Sequence, residues 1–242
     1  MTAMSSPLPD AASDLAQLSD QLNQGAEKSQ RQVIAQLAAL GEVGWPLLQD
    51  FLKTNYSDTP KLAMAEAYQA LRLVEQEAVQ EFLNTQFPLG IFPLKSARNI
   101  DYRPLQMALA QQEFELADNL TREKLCELAG EGAIQRKWLY FTEVERFPGL
   151  DLHTINALWW LHSGGKFGFS VQRKLWLSVG KDFTKLWPKI DWKNGNSWTK
   201  YPAGFTWDLS APAGHLPLLN QLRGVRVAAS LYGHPVWSEY QW

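Results

Sequence analysis

Apolar residues recur every three or four positions along most of this chain, the spacing of one helix face. Asp10 to Asn23 places Leu15, Leu18 and Leu22 on one side. Ser29 caps a second expected helix, Gln30 to Leu40, with Val33, Ile34, Leu37 and Leu40 in phase and Gly41 and Gly44 closing it. Trp45-Pro46 opens a third, reaching about Lys53, and Lys61 to Leu73 and Glu75 to Thr85 complete a bundle. The run QVIAQLAALGEVGWPLLQDFL has the form of one helical-repeat hairpin, although an ordinary small bundle accounts for it too. Residues 1–10, with Ser5, Ser6, Pro7 and Pro9, read as unstructured.

The segment FPLGIFPLKSARN breaks the helical pattern with two prolines and a glycine, and reads as a linker. The expected division is a bundle over 1–86, a linker over 87–99 and a second domain over 100–242. In the second domain, Tyr102 to Ala110 and Phe114 to Leu128 are expected helices, the latter with Leu116, Leu120, Leu125 and Leu128 inward. Gly130, Gly132 and Ala133 read as a loop. Thr142 to Phe147, Leu152 to His162, Gln172 to Val179 and Lys181 to Trp187 follow as helices, then Leu216 to Tyr232, and Pro235 to Trp242 is expected to pack down. Almost no run alternates with period two, so the fold class is all-α.

One stretch obeys neither period. Trp187, Trp192, Trp198, Tyr201, Phe205 and Trp207 fall among Lys, Asn, Gly and Pro residues, which spells a long loop. Loops this long are often binding loops. These rings either fold into the interior or wall a pocket for a flat apolar ligand. On the expected helix that follows, Asn220, Arg223 and Val227 share a face, with Arg226 one turn from Arg223. Aromatic walls beside two arginines suit a planar ligand with acidic edges, and a packed loop beside a solvated helix suits the pattern as well.

Charge sharpens the picture. Residues 1–83 hold 5 Lys/Arg against 11 Asp/Glu, whereas Trp160 to Arg226 hold 10 against 3. The aromatic-rich part is therefore the cationic part, which favours anionic ligands. Stacking on nucleic-acid bases would use the same residue types, but the net charge of −2 and the lack of a nucleic-acid motif argue against it. Cys126 is the only cysteine, so a reducing compartment is expected. The start of the chain has neither a signal-peptide nor a transit-peptide pattern, and a cytoplasmic setting is expected.

Catalytic signatures are missing. His153, His162, His215 and His234 are scattered without zinc-ligand spacing. Ser163-Gly164-Gly165-Lys166 lacks the Walker spacing and reads as a turn with Phe167 and Phe169 buried. No nucleophile elbow and no paired carboxylates occur, so an enzyme is not expected. A protein-docking module built on the aromatic loop is the alternative to a small-ligand site.

Several runs carry a family pattern: DYRPLQMALAQQEFELADNLTREKLCELAG, FPGLDLHTINALWWLHSGGKFGFSVQRKLW, FTKLWPKIDWKNGNSWTKYPAGFTWDLSAPAGHLP and LRGVRV. Together, over about residues 95–242, they resemble the Genomes-Uncoupled-Four family, porphyrin-binding regulators of magnesium chelatase in chlorophyll synthesis. The amino-terminal bundle resembles the accessory domain of cyanobacterial members. The resemblance implies an all-α "cupped hand" that binds protoporphyrin IX or its magnesium form and acts on the large porphyrin-binding subunit of magnesium chelatase. It implies no required cofactor, no protein metal site and no catalysis. It also implies a cyanobacterial monomer, cytoplasmic or peripherally associated with thylakoid membranes. Carried onto matching positions, the hand includes Phe141, Trp198, Tyr201, Phe205, Trp207, Asn220, Arg223 and Arg226. Tyr201 departs from the pattern, since a close relative carries Trp there.

Overall fold

The structure, a computed structural model, describes residues 11–57, 59–219 and 224–242. Residues 1–10, expected to be unstructured, lie outside the described residues, as do Asn220 and Arg223. The chain divides into two compact units, 1–91 and 92–242.

Among its described residues the first unit holds five α-helices: α1 (Ala11–Gln24), α2 (Glu27–Ala39), α3 (Trp45–Asn55), α4 (Leu62–Arg72) and α5 (Glu77–Gln86). Val33, Ile34, Leu37, Leu48, Phe51, Leu52, Tyr68 and Leu71 form its core, as the helical spacing predicts. Ser29 does not cap α2. The helix starts earlier, after Ala26 in extended backbone, and no side chain caps it. Glu27 instead accepts the Leu62 amide at 2.7 Å, and Arg31 pairs with Glu66 at 2.5 Å. Both bonds tie α2 to the start of α4.

In the second unit come α6 (Arg103–Ala110), α7 (Phe114–Ala129), α8 (Glu131–Arg136), α9 (Phe141–Val144) and α10 (Gly149–His162). Next are α11 (Phe169–Ser178), α12 (Phe183–Lys189), a short hairpin of β1 (Lys193–Asn194) and β2 (Ser197–Trp198), α13 (Arg226–Gly233) and α14 (Val236–Glu239). Helix α10 is the axis of this unit. Leu152 to Trp159 are all buried, and a helix buried all round must satisfy its polar groups internally. Asp151, at 0% exposure, accepts from Ser96 Oγ at 2.5 Å, the Ala97 amide at 3.0 Å and Tyr102 Oη at 2.9 Å. Thr154 donates to the Lys95 carbonyl at 2.7 Å, and Asn156 Oδ1 accepts the Ser170 amide at 2.8 Å.

Four expectations need correction. Gly130 to Ala133 is not a loop, because Glu131 starts a short helix after Gly130 turns at φ 100°. On α7, Leu116 is 47% exposed. The inward face there is Phe114, Ala117, Asp118, Thr121, Leu125 and Leu128, a phase that places two polar residues inside. The loop after Trp187 is interrupted by the Lys193–Trp198 hairpin, whose turn uses Gly195 at φ 56°. Of the helix expected over Leu216 to Tyr232, residues 216–219 and 224–225 are not helical, and α13 starts at Arg226. The Leu216 carbonyl accepts from the Gly168 amide at 3.0 Å and the Leu218 amide donates to Asp118 at 2.6 Å, so these groups serve other elements. Gly224, at φ 91°, stands just before the observed start.

Candidate functional site

The aromatic stretch splits into an inner and an outer half. Trp187 and Trp192 stack at 5.2 Å with an 8° interplanar angle, and both are buried. Trp192 Nε1 donates to the His215 carbonyl at 2.7 Å. His215 is the pivot beneath the loop. Its Nδ1 meets the Ile190 carbonyl at 2.7 Å and its Nε2 accepts the Thr206 amide at 3.2 Å, which requires the neutral ring with hydrogen on Nδ1. Burial depresses the His215 pKa, consistent with that form. Phe205 packs on the imidazole at 5.5 Å and is only 6% exposed.

The glycine-rich turn has the structural role its sequence suggested. Phe167 and Phe169 are at 0% exposure. The Gly214 amide donates to the Lys166 carbonyl at 2.9 Å, and Lys166 Nζ donates to the Leu209 carbonyl at 2.5 Å. Gly168, at φ 118°, holds a backbone conformation that favours glycine, and a Cβ there would meet Asn156 Oδ1 at a tight 3.0 Å. This turn pins the far end of the aromatic loop to the start of α11.

Three rings of the outer half sit together. Tyr201 is 47% exposed, lying 6.5 Å from Phe205 and 6.0 Å from Trp207. Trp207 Nε1 donates to the Pro202 carbonyl at 3.1 Å, which holds its indole across the loop tip. Tyr201 Oη donates to Asn119 Oδ1 at 2.9 Å, and the Arg122 guanidinium stands 5.7 Å from the Tyr201 ring. Trp198, half-buried on β2, lies 6.1 Å from Trp187 and under Lys193 Nζ at 5.4 Å.

A second group forms where α9 packs on α13. The Arg226 guanidinium lies 5.4 Å from the Phe141 ring centre. Phe141 is fixed from its amino-terminal side. Glu143 accepts the Tyr140 amide at 2.8 Å and takes Arg136 Nη2 on both oxygens, at 2.7 and 2.9 Å. Arg136 in turn stands 4.5 Å from the Tyr140 ring and 5.1 Å from the Trp138 ring.

The structure therefore brings Phe141 to Arg226 and Tyr201 to Phe205 and Trp207, and leaves Trp198 beside Trp187. Asn220 and Arg223 lie outside the described residues. Sequence reasoning missed Asp118, Asn119 and Arg122, which hold the loop from α7. Asp118 signals itself only as a polar residue on an apolar helical face, and Asn119 and Arg122, off that buried face, carry no sequence signal. Among the described residues, no group of three or more His, Cys, Asp or Glu is placed to hold a metal ion. Among them, too, no helix is long and apolar enough to cross a membrane.

Comparison with known proteins places this geometry in context. A family profile described as GUN4-like matches residues 95–235, and one described as "ARM-like repeat domain, GUN4-N terminal" matches residues 7–88. The chain is 65% identical over 230 residues to a Ycf53-like protein of Synechocystis, covering 95% of this chain and 99% of that relative. It is 39% identical over 143 residues to a chloroplastic tetrapyrrole-binding protein of Arabidopsis thaliana, covering 55% of this chain and 54% of that one. The solved GUN4 structure from Chlamydomonas reinhardtii aligns with TM-score 0.57 at 38% identity, over 60% of this chain and 93% of that one. The ligand-free Arabidopsis thaliana GUN4 aligns with TM-score 0.53 at 40% identity, over 57% and 98% respectively.

Proposed function

The chain belongs to the GUN4-like family, and on that premise we propose that its carboxy-terminal unit binds protoporphyrin IX or Mg-protoporphyrin IX. In this reading it stimulates magnesium chelatase through the enzyme's large porphyrin-binding subunit, as a carrier and activator without catalysis of its own. In the same reading it acts as a monomer, in the cytoplasm or in peripheral association with thylakoid membranes. The observation that carries the reading is the Arg226 guanidinium over the Phe141 ring, 5.4 Å from its centre, which sets a cation beside an aromatic ring. That pairing, with the exposed Tyr201 and the half-buried Trp207, suits a flat ring system bearing carboxylates.

Each residue has a task in this scheme. Tyr201 and Trp207 offer ring faces, Phe141 and Trp198 extend them, and the buried Phe205 backs them from beneath. Arg226, with Arg223, holds propionates, since guanidinium matches carboxylate geometry. The scheme assigns Asn220 to the ring or to a water that bound magnesium would carry, an ion that prefers oxygen ligands and needs no histidine. Burying roughly 400 Å² of porphyrin is worth about 10 kcal/mol, against an association cost of about 4–15 kcal/mol. The balance suits reversible binding by a carrier.

Titration of the chain with protoporphyrin IX is expected to shift the Soret band and quench tryptophan fluorescence. Chelatase turnover, measured across magnesium concentrations, is expected to be higher with the chain than without it. A flat Soret spectrum would sink the reading, and binding without any change in turnover would sink its second half.

A further inference from the structure

We propose that Asp118 is a positioning residue for the porphyrin palm. Its buried carboxylate clamps the Leu218 backbone to the helix that also holds Tyr201, and so fixes the spacing of two palm walls. The proposal rests on the reading of this region as a tetrapyrrole site.

Asp118 is 2% exposed, and its Oδ1 accepts the Leu218 amide at 2.6 Å across 100 positions of chain. Asn119, the next residue of α7, accepts from Tyr201 Oη at 2.9 Å, and Arg122, one turn on, stands over the Tyr201 ring. One turn of one helix thus grips both the aromatic tip, through Tyr201, and the backbone at Leu218. The helix itself is anchored, because Trp159 Nε1 of the central α10 donates to Thr121 Oγ1 at 2.8 Å. A carboxylate this deep carries a desolvation cost that an apolar residue of similar size would avoid, and the bond to Leu218 is what it obtains in return.

The charge on Asp118 decides how strong that bond is. Burial raises its pKa to about 7, opposed by the Leu218 hydrogen bond and by Arg122 and reinforced by Glu115. Of the helices packed on α7, α6 offers Arg103, already paired with Asp101. Helix α8 offers the exposed Glu131 and Arg136, the latter paired with Glu143. An ionised acceptor bonds an N–H about twice as strongly as a neutral one, so the clamp tightens as pH rises through the neutral range.

The test is porphyrin affinity by fluorescence quenching, using deuteroporphyrin IX, for the full wild-type chain and Asp118→Asn at about pH 6 and about pH 8. Ionisation of the porphyrin itself cancels in the ratio of the two affinities. The wild type is expected to bind roughly three- to tenfold more tightly than the variant at the higher pH, and equally at the lower. A ratio that does not change with pH overturns the proposal. Wild type that fails to bind at either pH sinks the porphyrin reading instead. Should the variant fail to fold, the Leu218 amide-proton chemical shift in the wild type decides. It is expected to move downfield between those pH values as the acceptor ionises, and an unchanged shift overturns the clamp.

Discussion

The guanidinium of Arg226, which opens α13, lies 5.4 Å from the ring of Phe141, which opens α9. Two helix starts therefore meet at a charged aromatic corner, and a ligand with one flat face and one acidic edge fits it. Arg226→Ala is expected to weaken protoporphyrin IX binding roughly tenfold, as loss of a charge-assisted contact should. Arg226→Lys should fall between, because an ammonium keeps the charge and loses the planar fork. Arg223→Ala is expected to lose a similar factor. Quenching titrations of the variants settle the point, and unchanged affinity in both would exclude a propionate grip.

Asp151 carries the fold of the second unit rather than its site. Three donors converge on its buried carboxylate, from Ser96, Ala97 and Tyr102. Asp151→Ala strands all three and should cost about 3–5 kcal/mol in urea unfolding. Tyr102→Phe removes one donor of the three and should cost only about 1–2 kcal/mol. Equal losses for the two variants would show that the carboxylate is not the hub.

The titration of Asp118 makes a separate prediction for stability. Its folded pKa, about 7, lies above the ordinary carboxylate value. Between those values the folded chain holds a proton that the unfolded chain has released. Its contribution to stability is therefore greatest at acid pH and is lost as pH rises through about 7. Asp118→Asn removes the titration, so its melting temperature relative to wild type should climb from about pH 4 to about pH 8. A constant difference across that range would contradict a strongly raised pKa.

His153 has the opposite sign. Burial lowers its pKa to about 4, with Lys95 adding to the effect. Stability from the neutral imidazole is full above the unfolded value and is lost as pH falls towards about 4. His153 stacks on Tyr240 at 3.9 Å and accepts from Trp242 Nε1 at 2.9 Å. His153→Phe preserves the stack and should flatten the loss of stability on acidification. An unaltered acid limb in a pH series of urea melts would assign that limb elsewhere.

Residues 92–242 are expected to fold and bind porphyrin without the first unit, since the proposed site residues all lie within them. Circular dichroism and a Soret titration of that fragment test the point. A folded fragment that no longer binds would give the helical-repeat unit a part in the site.

Most helices were legible because apolar spacing and Pro or Gly punctuation are local signals. Trp45-Pro46 begins α3 as expected, and Phe114 begins α7. The misses share a different cause. Leu116 looked inward by composition, yet the true face admits Asp118 and Thr121, whose partners Leu218 and Trp159 are distant in sequence. The helix expected from Leu216 fails because Gly168 and Asp118 claim its backbone. Of the site, the residue types were readable from the aromatic and arginine pattern. The pairing of Phe141 with Arg226 was not, because no periodic signal links residues so far apart.

The turn at Lys166 has one more implication. It bonds to the aromatic loop at Leu209 and Gly214, while His215 reaches both Thr206 and Ile190. The loop is thus moored at its base, and its tip at residues 200–204 reaches the rest of the unit through Tyr201 and Asn119. Changes at the tip can retune what it grasps, while the moorings keep such tinkering from spreading into the interior.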